Sequence, residues 1–281
     1  MALRFTGKHV AVVGATGVIG SHVAQAFARQ GAVVSLLGRS ALTQRARLES
    51  QLAAPAAAAP AAAAATASTA PRAHQFLKLD VSDAASIKEV FGGRRGGGGP
   101  TAATAGAAGA AGAEAEAVVV GQVDVLVNCA GISQTTFLKR TPDEELERIV
   151  DTNLLATMLV CKHARMQPHG CIINVSSLMA THGGFGATAY AASKAGLIGF
   201  TRALCRELAP RSIRVNALLP GWVDSDMWQN LKPELQQAYL KDTPLGRVAD
   251  PAEVADAAVF LAANQFANNC ILNLDGGLSA A

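Results

Sequence analysis

The chain is short of charge, of aromatics and of long apolar runs, and each shortage removes a class of protein. No stretch of about 18 apolar residues runs without a breaker, which argues against a membrane-spanning helix. Only 16% of the 281 residues are charged, and the net charge is +3. No basic tract or aromatic-interleaved patch is present, so the electrostatic footprint of a nucleic-acid-binding protein is missing. The five cysteines, at 129, 161, 171, 205 and 270, form no CxxC pair and no Cys/His spacing. They read as small buried residues of a reducing compartment, with no metal site among them. The first strand is reached by His9, which leaves no room for a secretory signal. The expectation is a soluble intracellular protein.

What is present is a half-hydrophobic composition, 50% by count, with 5% aromatics. That suits buried Val/Ile/Leu strands and Ala-rich helices in one large α/β domain. The segment HVAVVG reads as a strand, SHVAQAFARQG as a helix and AVVSLLGRS as a second strand. Between the first two lies Gly14-Ala-Thr16-Gly17-Val18-Ile19-Gly20. Glycines there allow a tight turn and let a pyrophosphate approach the N–H groups at a helix N-terminus. The acid expected about 20 residues on for a ribose hydroxyl is absent. Arg39 and Ser40 stand at the end of the second strand instead, and an arginine there can pair with a 2′-phosphate. The cofactor expected is therefore NADPH/NADP+.

Residues 53–70 are Ala/Pro-rich and residues 92–117 Gly/Ala-rich, without apolar periodicity. Both read as low-complexity surface insertions in a single domain spanning 1–281. HQFLKLDVSD gives a third strand ending at Asp80 and Val81, and QVDVLVNCAG a fourth ending at Asn128, Ala130 and Gly131. The segment 141–166 reads as one long helix, with Thr141 as N-cap and Pro142 at the first helical position. Asn153 sits in its middle, where it is expected to disturb the helix and offer its amide to a site. GCIINVSS is a fifth strand delivering Ser177, and SIRVNALLPG a sixth ending at Pro220. Residues 223–247 read as a helical cover, DPAEVADAAVFLAAN as a helix capped by Asp250, and CILNLDGG as the last strand. Seven strands with intervening helices predict a doubly wound parallel α/β Rossmann sheet.

Tyr190 and Lys194 lie four residues apart, on one face of the helix that follows Ser177. A lysine there is expected to favour the phenolate, making the tyrosine, which ordinarily titrates near ~10, a usable acid or base. Ser177 can hydrogen-bond the oxygen that gains or loses the proton. Gly14, Asp80, Asn128, Ser177 and Pro220 all fall at strand C-terminal ends, where ligands sit in such sheets.

These residues resemble the short-chain dehydrogenase/reductase family over nearly the whole chain except the insertions. Asn153, Ser177, Tyr190 and Lys194 fall in the family's Asn-Ser-Tyr-Lys order. Asn128-Cys-Ala-Gly131 is similar to its NNAG segment, and Pro220-Gly221-Trp-Val223-Asp-Ser225 to its PG segment. The segments YAASKAGLIGFTRAL and TPLGRVADPAEVADAAVFLA are most similar to 3-oxoacyl-[acyl-carrier-protein] reductases and mitochondrial-type carbonyl reductases. The resemblance implies NADPH-dependent reduction of a ketone in a small-molecule or carrier-bound acyl substrate, with acyl-carrier protein as a partner. It also implies a homo- or heterotetramer in the mitochondrial matrix or cytoplasm. It gives Asn153, Ser177, Tyr190 and Lys194 the catalytic roles. The glycine loop would hold the pyrophosphate, Asp80 and Val81 would border the adenine, and Asn128, Ala130 and Gly131 the ribose. Tyr190 and Lys194 also belong to the cofactor set, and Pro220, Gly221, Val223 and Ser225 would stand at the nicotinamide.

Two departures stand out. The glycines fall at 14, 17 and 20 rather than 14, 18 and 20, so Val18 stands where it can crowd the pyrophosphate. One of the two arginines that greet an acyl carrier in the family matches Arg211. The other falls at Pro168, with Lys162 and Arg165 nearby. Two alternatives remain open: a broad carbonyl or quinone reductase or secondary-alcohol dehydrogenase, and a non-catalytic NADP(H)-binding partner subunit. Met179, Phe185, Trp222, Met227 and Trp228 are candidate pocket residues.

Overall fold

The computed structural model describes residues 3–53, 71, 73–92 and 119–280. Apart from Ala53 and Gly92, the two expected insertions lie outside the described residues. The strands are β1 (His9–Val13), β2 (Val33–Gly38), β3 (Gln75–Lys78), β4 (Gln122–Asn128), β5 (Arg165–Val175), β6 (Arg214–Pro220) and β7 (Ile271–Leu274). They form one seven-stranded sheet in the order β3-β2-β1-β4-β5-β6-β7. Every pairing is parallel. A parallel sheet is covered on both faces, which is why β1, β2 and β6 are mostly apolar and are buried throughout.

The helices are α1 (Val18–Arg29), α2 (Arg45–Glu49), α3 (Ala84–Gly92), α4 (Asp143–Val150), α5 (Ala156–His163), α6 (Met179–His182), α7 (Thr188–Glu207), α8 (Asp226–Gln229), α9 (Pro233–Asp242) and α10 (Pro251–Ala263). Alternate residues of a strand face opposite sides, and the core divides accordingly. Val10 and Val12 pack with Val23 and Phe27 of α1 and Val254 and Leu261 of α10. Ala11 and Val13 pack with Ile87 and Phe91 of α3 and Val160 of α5. Among the described residues no helix is long and apolar enough to cross a membrane.

Four local expectations change. Helix α1 starts at Val18, inside the glycine segment, so Gly20 is a helical residue. Thr141 is not the N-cap of α4. Leu138–Arg140 form a 3-10 turn, Thr141 closes it with its hydroxyl on the Phe137 carbonyl (3.1 Å), and Pro142 takes the cap position. The long helix ends at His163 rather than Met166, because Ala164 turns extended and Arg165 pairs with Gln122 as β5 begins. The cover at 223–247 is two short helices, α8 and α9, rather than one. The capping box on α10 is as expected, with Asp250 and Glu253 satisfying each other's backbone N–H.

At the edge opposite the strand C-termini, His9 is fully buried. Its Nδ1 lies 2.7 Å from the Gln122 carbonyl and its Nε2 2.7 Å from Ser35 Oγ, so the ring ties β4, β1 and β2 together. Burial holds its pKa below the ordinary 6.5, and the folded chain keeps the ring neutral. The unfolded chain then binds the extra proton first, so this contribution is complete above about pH 6.5 and is lost as pH falls below it towards the folded pKa. Melting temperatures at pH 8 and pH 5 are expected to separate more in the wild type than in His9→Gln. Equal separation in the two proteins would remove His9 from the account.

Candidate active site

Gly14 leaves β1 with φ +81°, a conformation that favours glycine. A Cβ there would lie 2.6 Å from the Ala130 amide nitrogen, so the turn after β1 runs directly over the segment after β4. Beyond it opens a cleft of about 360 Å³. One side is formed by Gly14, Thr16 and Gly17, another by Gly38, Arg39 and Ser40 after β2, and the floor by Leu79 to Ser82 and Cys129 to Ile132. Arg148 and Thr152, which sequence reasoning passed over, close the remaining side. The cleft thus spans the β1/β4 reversal of strand order, where such sheets take ligands.

Val18, the residue expected to crowd a pyrophosphate, is not in the cleft wall. It opens α1, and its carbonyl accepts from Ser21 Oγ (3.0 Å) and the His22 ring (2.8 Å). Ile19 packs against the core. Gly17 holds the N-cap position with open space around its Cα; the nearest protein atom to an added Cβ is the Gly14 carbonyl oxygen at 3.4 Å. These features fit a dinucleotide: a bare turn, free helix N–H groups and a cleft of matching shape.

Asp80 turns its carboxylate onto Ser82, taking hydrogen bonds from its N–H (3.0 Å) and hydroxyl (2.7 Å). Those bonds, with help from Arg39 and Lys78, hold its pKa down against the desolvation it suffers. Asn128 is turned away from the cleft. Its Nδ2 donates to Asn174 Oδ1 (2.9 Å), linking β4 to β5, and Asn174 in turn donates to Thr201 Oγ1 on α7 (3.0 Å).

The second half of the site sits where Gly131 ends the floor. A Cβ on Gly131 would lie 3.2 Å from both Asn153 Oδ1 and Lys194 Nζ. Asn153 disturbs its helix as expected: Asp151–Leu155 form a π-turn between α4 and α5. The widened turn aims the fully buried Asn153 amide across the site. Its Oδ1 accepts from Ile132 N (2.8 Å), and its Nδ2 donates to the Ile132 carbonyl (3.0 Å) and Ser193 Oγ (3.1 Å).

The first turns of α7 are pinned from several directions. Ser193 donates to the Tyr190 carbonyl (2.7 Å), and Ser176 to the Lys194 carbonyl (2.7 Å). Gln134 supplies what α7 lacks, since no residue at its N-terminus caps it. The Gln134 Oε1 accepts from the N–H groups of Ala189 (2.8 Å) and Tyr190 (3.4 Å), while its Nε2 donates to Thr136 O and Thr141 Oγ1. Gln134 therefore fixes the turn that carries Tyr190, and no sequence signal marks it.

Lys194 lies 5.8 Å from the centre of the Tyr190 ring and donates to the Val175 carbonyl (2.9 Å). Ser177 stands close enough to the Tyr190 phenol to draw its pKa down. The expected direction of the tyrosine pKa is reversed. Burial raises it, with only Ser177 opposing. Burial also draws Lys194 down to about 8. Desolvation is the larger effect on the tyrosine, and the phenol is held in its protonated form.

On the far side, Gly221 follows β6 so close to Asp275 that a Cβ would come within 2.9 Å of its Cα. Val223 is buried, and Ser225 caps α8 by accepting from Trp228 N (3.4 Å). Trp222 packs on Trp228 and Tyr239 at ring-centre distances of 5.6 and 4.9 Å, and Trp228 is buried. These two pocket candidates hold the cover together. Phe185, by contrast, is 94% exposed, and Met227 is also open. Arg211 precedes β6 and donates to the Met166 carbonyl near the start of β5. It therefore lies at the opposite end of the sheet from Ser177.

The comparisons agree with this geometry. Residues 101–279 match a family model described as Enoyl-(Acyl carrier protein) reductase, and residues 10–97 one described as the NAD dependent epimerase/dehydratase family. The chain is 43% identical over 166 residues to 3-oxoacyl-[acyl-carrier-protein] reductase FabG of Chlamydia muridarum, covering 57% of this chain and 66% of that protein. It is 44% identical over 163 residues to the Homo sapiens 3-oxoacyl-[acyl-carrier-protein] reductase, covering 57% and 68%. It is 45% identical over 161 residues to carbonyl reductase family member 4 of Danio rerio, covering 56% and 67%. The matched part thus spans about two thirds of the length of these relatives. A short-chain dehydrogenase/reductase from Serratia marcescens superposes with TM-score 0.78 at 25% identity, over 99% of this chain and 100% of that one. A dehydrogenase/reductase from Sinorhizobium meliloti gives 0.78 at 26%, over 99% and 97%. By the matched family model, the sheet order and the Ser177–Tyr190–Lys194 arrangement, the chain belongs to the short-chain dehydrogenase/reductase family.

Proposed function

We propose that this chain reduces a ketone to a secondary alcohol with NADPH, and that its substrate is a 3-oxoacyl thioester carried on acyl-carrier protein or CoA. The observation that carries the reading is the position of Gly131. It floors the dinucleotide-shaped cleft on one side and lies against Lys194 and Asn153 on the other. A cofactor seated in the cleft would therefore end beside the Tyr190 phenol.

Gly14, Thr16 and Gly17, with the first N–H groups of α1 at Val18, Ile19 and Gly20, would hold the pyrophosphate. Arg39 and Ser40 would meet the 2′-phosphate, Asp80 and Val81 the adenine, and Ala130 and Gly131 the ribose. Asn128 would act from behind, by fixing the strand end on which Ala130 and Gly131 depend. Lys194 would hold the nicotinamide ribose, and Pro220, Gly221, Val223 and Ser225 would border the nicotinamide. When bound, that ring supplies the hydride.

The protein's own part is the proton and the oxygen. Ser177 and Tyr190 donate to the ketone oxygen, where negative charge develops. Tyr190, kept protonated by burial, gives up its proton, and the Lys194 charge stabilises the phenolate as it forms. Asn153 keeps the Ile132 backbone and Ser193 in register with that turn. Assembly into a homo- or heterotetramer is what the family resemblance implies. A carrier-bound acyl substrate would place the enzyme where fatty acids are built, in the cytoplasm or mitochondrial matrix.

A broad carbonyl or quinone reductase is the second reading, favoured by the distance of Arg211 from Tyr190 along the sheet. Oxidation of NADPH with acetoacetyl thioester and with a quinone, each repeated with NADH, separates the two. The proposal expects a higher kcat/KM for the thioester and for NADPH. A quinone preference would move the assignment to the second reading, and no oxidation with any substrate would leave only a cofactor-binding subunit.

A further inference from the structure

The charges around the cleft pose a problem for recognition of a 2′-phosphate by Arg39 alone. Three of the lining residues are charged: Arg39, Asp80 and Arg148. Asp80 stands close enough to Arg39 for the guanidinium to help depress its pKa, so this carboxylate offsets the charge at that end of the cleft. Without Arg148 the lining would be electrically neutral, and a neutral cleft has little reason to prefer a cofactor with an additional phosphate.

Arg148 sits near the end of α4, with Glu144 four residues before it and Glu145 three before. Either would be a natural helical partner. Among the described residues, however, Arg148 forms no ion pair or hydrogen bond, and its side chain lines the cleft. Thr152, four residues on in the π-turn, lines the same wall. It is only 8% exposed, and its hydroxyl has no hydrogen-bond partner among the described residues. An uncommitted cation and an unpartnered hydroxyl, both open to the cleft on one wall, can together take an anionic, hydrogen-bonding ligand. Arg47, the other arginine nearby, donates to Gln44 and towards the Thr16 carbonyl and stays outside the lining.

We propose that Arg148 is a second selecting cation of the cleft, reaching from α4 to the 2′-phosphate that Arg39 meets from β2. The inference rests on the NADPH reading above and extends it. Arg39 supplies a charge already shared with Asp80, and Arg148 supplies the net positive charge that makes a phosphate preferable to a hydroxyl. The ligand class is an adenosine 2′-phosphate.

Calorimetric titration tests this without catalysis. Adenosine 2′,5′-bisphosphate and 5′-AMP differ only in the 2′-phosphate, and each is titrated into wild type, Arg148→Gln and Arg148→Lys. The expected result is about a tenfold weaker bisphosphate affinity in Arg148→Gln, the scale of one charge-assisted hydrogen bond. Affinity for 5′-AMP should be unchanged, and Arg148→Lys should recover most of the loss. An equal loss for both ligands, or no loss for either, overturns the assignment to the 2′-phosphate. A wild type that binds 5′-AMP but not the bisphosphate overturns it together with NADPH, and one that binds neither removes the cofactor reading beneath it.

Discussion

Tyr190→Phe is expected to lower kcat for ketone reduction by roughly a thousandfold or more, within the range seen for a positioned general acid, while leaving NADPH affinity as in the wild type. The substitution removes one oxygen. The ring remains over Lys194, and Tyr190 does not line the cleft that would hold the adenosine and pyrophosphate of the cofactor. What disappears is the proton that must reach the substrate oxygen. Burial raises the phenol pKa and lowers Lys194 to about 8. Below that pH the lysine is still charged and the phenol still protonated, the pair of states that a reduction needs at its start. Fluorescence titration with NADPH alongside steady-state rates would separate the two effects. A Phe variant that still turns over at near wild-type rate would take the catalytic role away from Tyr190, while one that no longer binds NADPH would give the hydroxyl a role in holding the cofactor.

How far the site could be read in the sequence depends on whether each partnership is local. Tyr190 and Lys194 are one helical turn apart, so their spacing alone places them together. Asn153 was readable as a disturbance because an asparagine is a poor choice within a helix, and a π-turn is what the disturbance became. Gln134 could not be found in this way. It caps a helix 55 residues further along the chain, and nothing local distinguishes it from an ordinary loop glutamine. Arg148 carries no sequence signal either: it is one charge among several on α4, and only the fold brings α4 beside the cleft. Asn128 shows the opposite failure. Its position at the end of β4 matches a cofactor-contacting segment, but β4 is an interior strand between β1 and β5, and the Asn128 side chain is used to join β5. The tryptophans were read as pocket walls because they are large and apolar, a description that fits residues packed on one another just as well.

The glycine segment gives the sharpest separation between fold and binding, because two glycines three residues apart have opposite surroundings. A Cβ on Gly20 would fall onto the Gly14 carbonyl and lie 2.9 Å from the Ala15 Cα, all of it backbone that cannot swing aside. Gly20→Ala is therefore expected to push α1 away from the turn after β1. The cost is about 3 kcal/mol, towards the upper end for overpacking, and a fall in melting temperature of roughly 5 °C follows for a chain of this size. Gly17→Ala meets only the Gly14 carbonyl oxygen on the protein side, at an ordinary contact distance of 3.4 Å, and its methyl would stand at the cleft wall that Gly17 lines. That variant should melt as the wild type does and bind NADPH at least about tenfold more weakly, because a pyrophosphate could no longer approach the bare backbone. Thermal melts and cofactor titration of both variants test the pair. If Gly17→Ala keeps full affinity, the pyrophosphate does not lie at this turn. If Gly20→Ala melts with the wild type, the close contact between α1 and Gly14 is not what holds the turn. The predicted split also settles the standing of Val18. The wall that would meet a bound pyrophosphate is Gly14, Thr16 and Gly17, and on the proposed reading the displaced glycine at 17 would do the work that a glycine at 18 would otherwise be needed for.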